Sequence, residues 1–214
     1  MSSAQQDKPE MRNPEAGKIA AVTGAASVGA AFGRIGDHLG ALICCAGMLR
    51  TGLMKTMPIE AFDIVLNTNL RGRFLGAQKA LPLLRRAATV ENPSRVVLLS
   101  SIAALRPKIF SGAYAASKAA VSQLCRVVAA EWASPGVLVN ALAPGTVDTA
   151  MVRAVSDPGA SKGYRPSGVS PVGRIAQPDD VIMFLLSDAA RYVTGTTIPV
   201  DGGTQAAFIP SGLP

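Results

Sequence analysis

The sequence predicts an α/β fold in which one parallel sheet is covered by helices on both faces. Three observations carry that expectation. Short, wholly apolar runs alternate with longer stretches of helical spacing, each apolar run closes on small or turn-forming residues, and 214 residues suffice for one core but are short for two. A content of 49% hydrophobic and 16% charged residues is that of a globular chain.

Residues 1–17 are polar, carry two prolines and lack an apolar centre, so they are expected to be a flexible leader ahead of one domain, 18–214. The first strand is expected at Lys18–Thr23, a run stopped by Gly24, and the others at Gly40–Cys45, Arg95–Ser100, Val137–Leu142 and Thr197–Val200. A long helix is expected from Pro58 to about Ala88, with Phe62, Leu66, Leu70 and Phe74 on one stripe. Pro82 should kink or break it. Ala113–Ala133 is a second helix, and Pro178–Asp188, with Asp179 and Asp180 at its positive end, a third. Right-handed crossovers should join the strands. Met151–Ser170 has no clear period and much Gly, Pro and Ser, so a loop is expected there, placed to cover a substrate.

The bulk numbers narrow the function. Mean hydropathy is +0.30, yet no run approaches the roughly 18 apolar residues of a membrane helix. Cys44 and Cys45 are adjacent and Cys125 is distant, neither a disulfide framework nor a metal-ligand spacing; a reducing cytoplasm and no metal are expected. The net charge of +7 comes from scattered side chains, with Arg85-Arg86 the one adjacent pair and no interleaved aromatics. That pattern argues against nucleic acid and for a small anionic ligand, for which cofactor phosphates would suffice.

Tyr114 and Lys118, in Y-A-A-S-K, stand four apart on an expected helix and so share a face. A neighbouring ammonium favours the phenolate, which would bring Tyr114 towards use as an acid or base at neutral pH. The plainer reading is a surface helix pair. Ser101 closes the third strand, where parallel sheets place their sites, and it could equally be a helix or turn cap. Asn69, inside the first helix at N-T-N-L-R-G, is either functional or a solvent-facing Asn.

With these motifs in order, T-G-A-A-S, the A-G after the second strand, N-L-R-G, L-L-S-S-I-A-A, Y-A-A-S-K, N-A-L-A-P-G-T-V-D-T and V-D-G-G, the chain resembles the classical short-chain dehydrogenases/reductases. The match covers about 18–27 and 32–203. The resemblance implies a Rossmann-like three-layer α/β/α fold, NAD or NADP as cofactor, and an alcohol or ketone substrate. It implies a catalytic set of Asn69, Ser101, Tyr114 and Lys118. Tyr114 would exchange the proton and Ser101 hold the substrate oxygen; Lys118 would bind the nicotinamide ribose and lower the Tyr pKa, and Asn69 hold a relay water. It further implies that Pro144, Gly145, Thr146 and Val147 pass the nicotinamide, with Thr149 near the phosphates and Gly24 in the glycine-rich turn. Gly202 and Gly203 would end the last strand near a subunit contact, in a homodimer or homotetramer.

Set against the family pattern, the chain jumps from Ser27 to residues resembling the tail of a later helix, Val28–Arg34, as though roughly fifty residues, more than one β-α-β unit, were missing. Val28 and Ala30 stand where the turn T-G-x-x-x-G-x-G has glycines, and Cys44-Cys45 where the family usually has two asparagines. These two are expected to be buried small residues rather than redox or metal partners. The strand whose end would read the adenosine ribose is among those absent, so the choice of NAD or NADP stays open and cofactor binding could be weakened or lost. A five-stranded sheet with the first strand as an edge should remain. Two functions follow: an NAD(P)-dependent oxidoreductase, or a truncated or non-catalytic scaffold that does not bind the dinucleotide.

Overall fold

The computed structural model describes residues 19–21, 36–134, 136–156 and 169–206. The expected leader, Gly24 and the rest of the altered glycine turn lie outside them. Five strands form the sheet: β1 Ile19–Ala21, β2 Ala41–Cys44, β3 Ser94–Leu99, β4 Val137–Pro144 and β5 Thr197–Val200. All pairs are parallel in the order β1-β2-β3-β4-β5, with Ile43 opposite Val97 and Val97 opposite Asn140 in the middle of the sheet.

Alternate strand residues enter two separate cores, which is why the runs read as continuously apolar. Leu42, Cys44, Val96, Leu98, Val139 and Ala141 pack beneath α2 (Gly72–Ala87) and α3 (Gly112–Trp132), through Ala77, Ala80 and Leu84 of the first and Val121 and Cys125 of the second. Ile43, Val97 and Leu142 face the other way and meet Val181 and Leu185 of α5 (Asp179–Leu186). The chain therefore leaves β2 and β3 over one face and β4 over the opposite face, while each step moves to the next strand in the same direction. The last crossover is consequently of opposite hand to the two before it, and uniform right-handedness does not hold. The rule applies most strongly to direct strand-helix-strand connections, whereas this one spans residues 145–196.

The long helix also differs from expectation. α2 runs unbroken through Pro82, whose ring lies on the exposed side and whose carbonyl accepts from Arg86 Nε at 3.2 Å. One lost hydrogen bond at a solvated turn is tolerable when the rest of the helix packs on the sheet. The interruption lies upstream, where α1 (Ile59–Leu66) passes into a π-helical turn, Asn67–Arg71, closed by Gly72 N–H on Asn67 O. Such turns insert one residue and occur frequently at functional sites. Phe62, Leu66 and Leu70 are half-buried and Phe74 is 39% exposed, while the buried line runs through Val65, Asn69, Arg73, Ala77, Ala80 and Leu84. The apolar stripe thus marks a face beside the core, because two polar residues occupy the core-facing line.

Within the expected loop, Ala150–Ser156 forms α4, with Thr149 Oγ1 accepting from Val152 N–H at 3.4 Å; 157–168 lie outside the described residues. The chain's return is fixed by Asp180, which accepts from Gln177 N–H at 2.7 Å and pairs with Arg174 at 2.6 and 2.8 Å. These hydrogen bonds hold the Asp180 carboxyl below its ordinary pKa.

Candidate active site

At the C-terminal end of β3, Ser101 turns the chain into a short 3-10 helix, Ile102–Ala104, and its hydroxyl accepts from Ala103 N–H at 3.1 Å. The cap does not take Ser101 out of the site, because its side chain also lines the same pocket as Tyr114. Ser100 fixes the helix that carries Tyr114: its hydroxyl donates to Lys118 O at 2.9 Å and shares a 2.8 Å hydrogen bond with Ser122. The strand end and the first turns of α3 are thereby locked together.

Tyr114 and Lys118 are not a surface pair. Lys118 is 3% exposed; its Nζ donates to Leu99 O at 2.7 Å and lies 5.3 Å from the centre of the Tyr114 ring. The electrostatics depart from expectation. Burial raises the Tyr114 phenol above its ordinary pKa, opposed by the Ser101 hydrogen bond and by the charge of Arg73, not of Lys118. Lys118 itself is pushed well below the usual lysine range, first by burial and then by Arg73. A desolvated amine beside a guanidinium gives up its proton readily, so it is a weaker source of positive charge than an exposed lysine would be.

Asn69 is fully buried on the π-helical turn, which removes the solvent-facing alternative. Its Nδ2 donates to Met48 O at 2.8 Å and to Ser117 Oγ at 3.0 Å, and its Oδ1 accepts from Met48 N–H at 2.7 Å. It therefore clamps the segment following β2 to α3. Its backbone carbonyl, the group nearest in kind to a relay acceptor, already receives Arg73 Nη1. Arg73 escaped the sequence reading although it follows Asn69 by four residues and so shares its face; an arginine beside N-L-R-G reads as a solvated helix residue until the buried line is known.

One pocket of about 360 Å³ gathers most of these groups at the strand ends: Ser101, Tyr114 and Lys118 with Pro144, Gly145, Val147 and Thr149, against Cys45 and Gly47. Gly145 has no room for a side chain, since a Cβ would sit 3.0 Å from Asp201 Cα, so bare backbone forms that part of the wall. A smaller cavity of about 90 Å³ shares Ser101, Tyr114 and Gly145 and adds Thr146 and Ile102. Asn69 stands behind Gly47, its Oδ1 3.5 Å from where a Cβ there would be. Cys44 is buried, its thiol pushed up to about 12, whereas Cys45 is exposed and lines the pocket, so the expectation of two buried residues holds for the first alone. Among the described residues there is no cluster of metal-ligating side chains and no helix long and apolar enough to cross a membrane.

A family model described as enoyl-(acyl carrier protein) reductase matches residues 14–205. The rhamnolipid-biosynthesis 3-oxoacyl-[acyl-carrier-protein] reductase of Pseudomonas aeruginosa is 33% identical over 190 residues, 86% of this chain and 73% of that protein. A tropinone reductase homolog of Arabidopsis thaliana is 35% identical, over 78% of this chain and 62% of its own length. Among solved structures, an RhlG/NADP active-site complex from Pseudomonas aeruginosa superposes with a TM-score of 0.72 at 31% identity, covering 85% of this chain and 72% of that one. A gluconate 5-dehydrogenase from Burkholderia cenocepacia in complex with NADP and tartrate gives 0.72 at 28% identity, covering 86% and 72%. With the fold, the ordered motifs and these likenesses in agreement, the chain belongs to the classical short-chain dehydrogenase/reductase family of oxidoreductases.

Proposed function

We propose that this chain is an NAD(P)-dependent oxidoreductase that interconverts a secondary alcohol and a ketone, with Tyr114 as proton donor and acceptor. The observation that carries this reading is the convergence of Ser101, Tyr114 and Lys118 with Pro144, Gly145, Val147 and Thr149 on one pocket. These residues fit the nicotinamide half of the cofactor: a glycine wall without a side chain, an amine, a phenol, and the hydroxyls of Ser101 and Thr149 on one pocket. The bound cofactor supplies or takes up the hydride. The protein does the rest. Ser101 and Tyr114, which line the same pocket, present two hydroxyls to the substrate oxygen, and Tyr114 gives its proton as charge develops there. Lys118 holds the ribose and Asn69 keeps the Met48 segment in place beside it.

NADP is the first choice to test, since two related structures hold it. The relatives' named reactions, on 3-oxoacyl carrier-protein thioesters among others, make a 3-oxoacyl thioester a suitable first substrate. Exposed Ile64, Phe74 and Val127 on α1, α2 and α3 support assembly through that helical face as a homodimer or homotetramer. Titration of the folded protein with NADPH and NADH, followed by nicotinamide fluorescence and calorimetry, should give saturable binding; no binding of either would turn the reading to a non-catalytic scaffold. A second test needs no turnover. Because Cys45 is exposed on the pocket wall while Cys44 and Cys125 are buried, one thiol should react quickly with a small disulfide reagent, and saturating cofactor should slow that reaction about tenfold or more. An unprotected Cys45 would remove the pocket as the cofactor site.

A further inference from the structure

Arg73 is the part of this site that the proposed function leaves without a role. It is 3% exposed on α2 and held by donation from Nε to Cys44 O at 3.3 Å and from Nη1 to Asn69 O. Its Nη2 is buried and has no hydrogen-bond partner among the described residues. That nitrogen is aimed at the back of the pocket wall: it lies 3.5 Å from the point a Gly47 Cβ would occupy, and Lys118 Nζ lies 3.7 Å from the same point. A guanidinium and an amine thus converge behind a single pocket glycine. Among the described residues no carboxylate pairs with either; Arg73 has Cys44, Tyr114 and Cys45 as its charged or chargeable surroundings.

A guanidinium does not deprotonate in a protein, so the unfavourable energy of burying this charge is passed to whatever else in the site can change its own. It favours loss of positive charge nearby, as Lys118 shows, and favours the phenolate of Tyr114. A ligand that can carry or lack a positive charge is subject to the same force, screened less than at a surface because the guanidinium is buried. The oxidised nicotinamide ring is a cation and the reduced ring is neutral.

Resting on the proposed function, we propose that Arg73 sets which redox form of the cofactor this pocket prefers: it works against the oxidised, cationic nicotinamide and not against the reduced, neutral one. The chain is thereby loaded preferentially with the reduced cofactor. From that loaded state the carbonyl carbon would receive the hydride of the reduced cofactor, the carbonyl oxygen the Tyr114 proton, and Tyr114 would be reprotonated by solvent. Arg73 would then favour release of the positively charged oxidised form.

The test is a ratio of affinities, measured calorimetrically for NADPH and NADP+ on wild type, Arg73→Met, Arg73→Gln and Arg73→Lys. Wild type should bind NADPH about tenfold or more tightly relative to NADP+. The Met and Gln variants should bring the ratio close to one, chiefly by tightening NADP+, and the Lys variant, whose buried amine can shed its proton as Lys118 does, should restore it only in part. A residue that only packed would weaken both forms together and leave the ratio unchanged. A wild-type protein that binds both forms equally overturns the proposal without any variant, as does a ratio within twofold of wild type in a folded Met or Gln variant. Failure of wild type to bind either form would instead overturn the proposed function on which this rests.

Discussion

Tyr114→Phe is expected to lower carbonyl reduction by about 10²- to 10⁴-fold while leaving cofactor affinity and melting temperature close to wild type. The ring is retained, so its packing beneath Lys118 persists, and what disappears is the hydroxyl on the pocket it shares with Ser101. Steady-state kinetics beside a cofactor titration separates chemistry from binding; turnover within tenfold of wild type would remove Tyr114 from the proton-transfer role. The pH dependence carries a sign. Because burial raises the phenol above its ordinary value, Tyr114 stays in its acid form through neutral pH. Reduction, which needs that proton, should hold steady across the neutral range and fall only in strong alkali, and alcohol oxidation, which needs the phenolate, should climb with pH throughout. A reduction rate that falls with a midpoint near neutrality would mean a different proton donor.

The second large effect is on stability. Asn69→Ala should destabilise the fold by about 3 kcal/mol, because it strips partners from Met48 N–H and O and from Ser117 Oγ, and an unsatisfied buried polar group costs about 1–3 kcal/mol. For a chain of this size that is a fall in melting temperature of about 6–12 °C. Activity should fall further than unfolding explains, even well below the new melting point, since the Met48 segment beside the pocket loses its clamp. Thermal denaturation checks the first part, and a change under about 2 °C would show that the clamp carries no weight.

The fold was legible because its signal is redundant. Five apolar runs of strand length cannot be satisfied in a two-sided layer arrangement except as buried parallel strands, and the central ones fell within a residue or two of the observed bounds. The hand of the last crossover was not legible, for it depends on which face α5 covers, and Val181 and Leu185 would be apolar on either. The site residues were legible as motifs and their surroundings were not. Tyr114 and Lys118 at four-residue spacing announce a shared face, but whether that face is wet or dry decides their charges, and burial is a property of the assembled layers. Arg73 shows the same gap. Its type reads as surface, its spacing from Asn69 reads as a shared face, and only the packing of α2 shows which of the two applies.

The π-helical turn at Asn67–Arg71 has a consequence for how this gene can vary. A π-helical turn holds one residue more than ordinary helix needs while keeping the segments on either side in line, which is how Val65, Asn69 and Arg73 share one buried face. Loss of one codon between 67 and 71 would therefore let ordinary helix run straight through with Val65 still turned to the core, because seven residues at about 100° each make nearly two full turns. What such a loss removes is the wide turn itself, and with it the backbone that sets Asn69 against the Met48 segment. Point changes at Thr68 or Arg71, whose side chains lie away from that line, leave both the turn and the core face in place. The segment should therefore drift in spelling over generations, and hold its length only as long as the Asn69 clamp is needed.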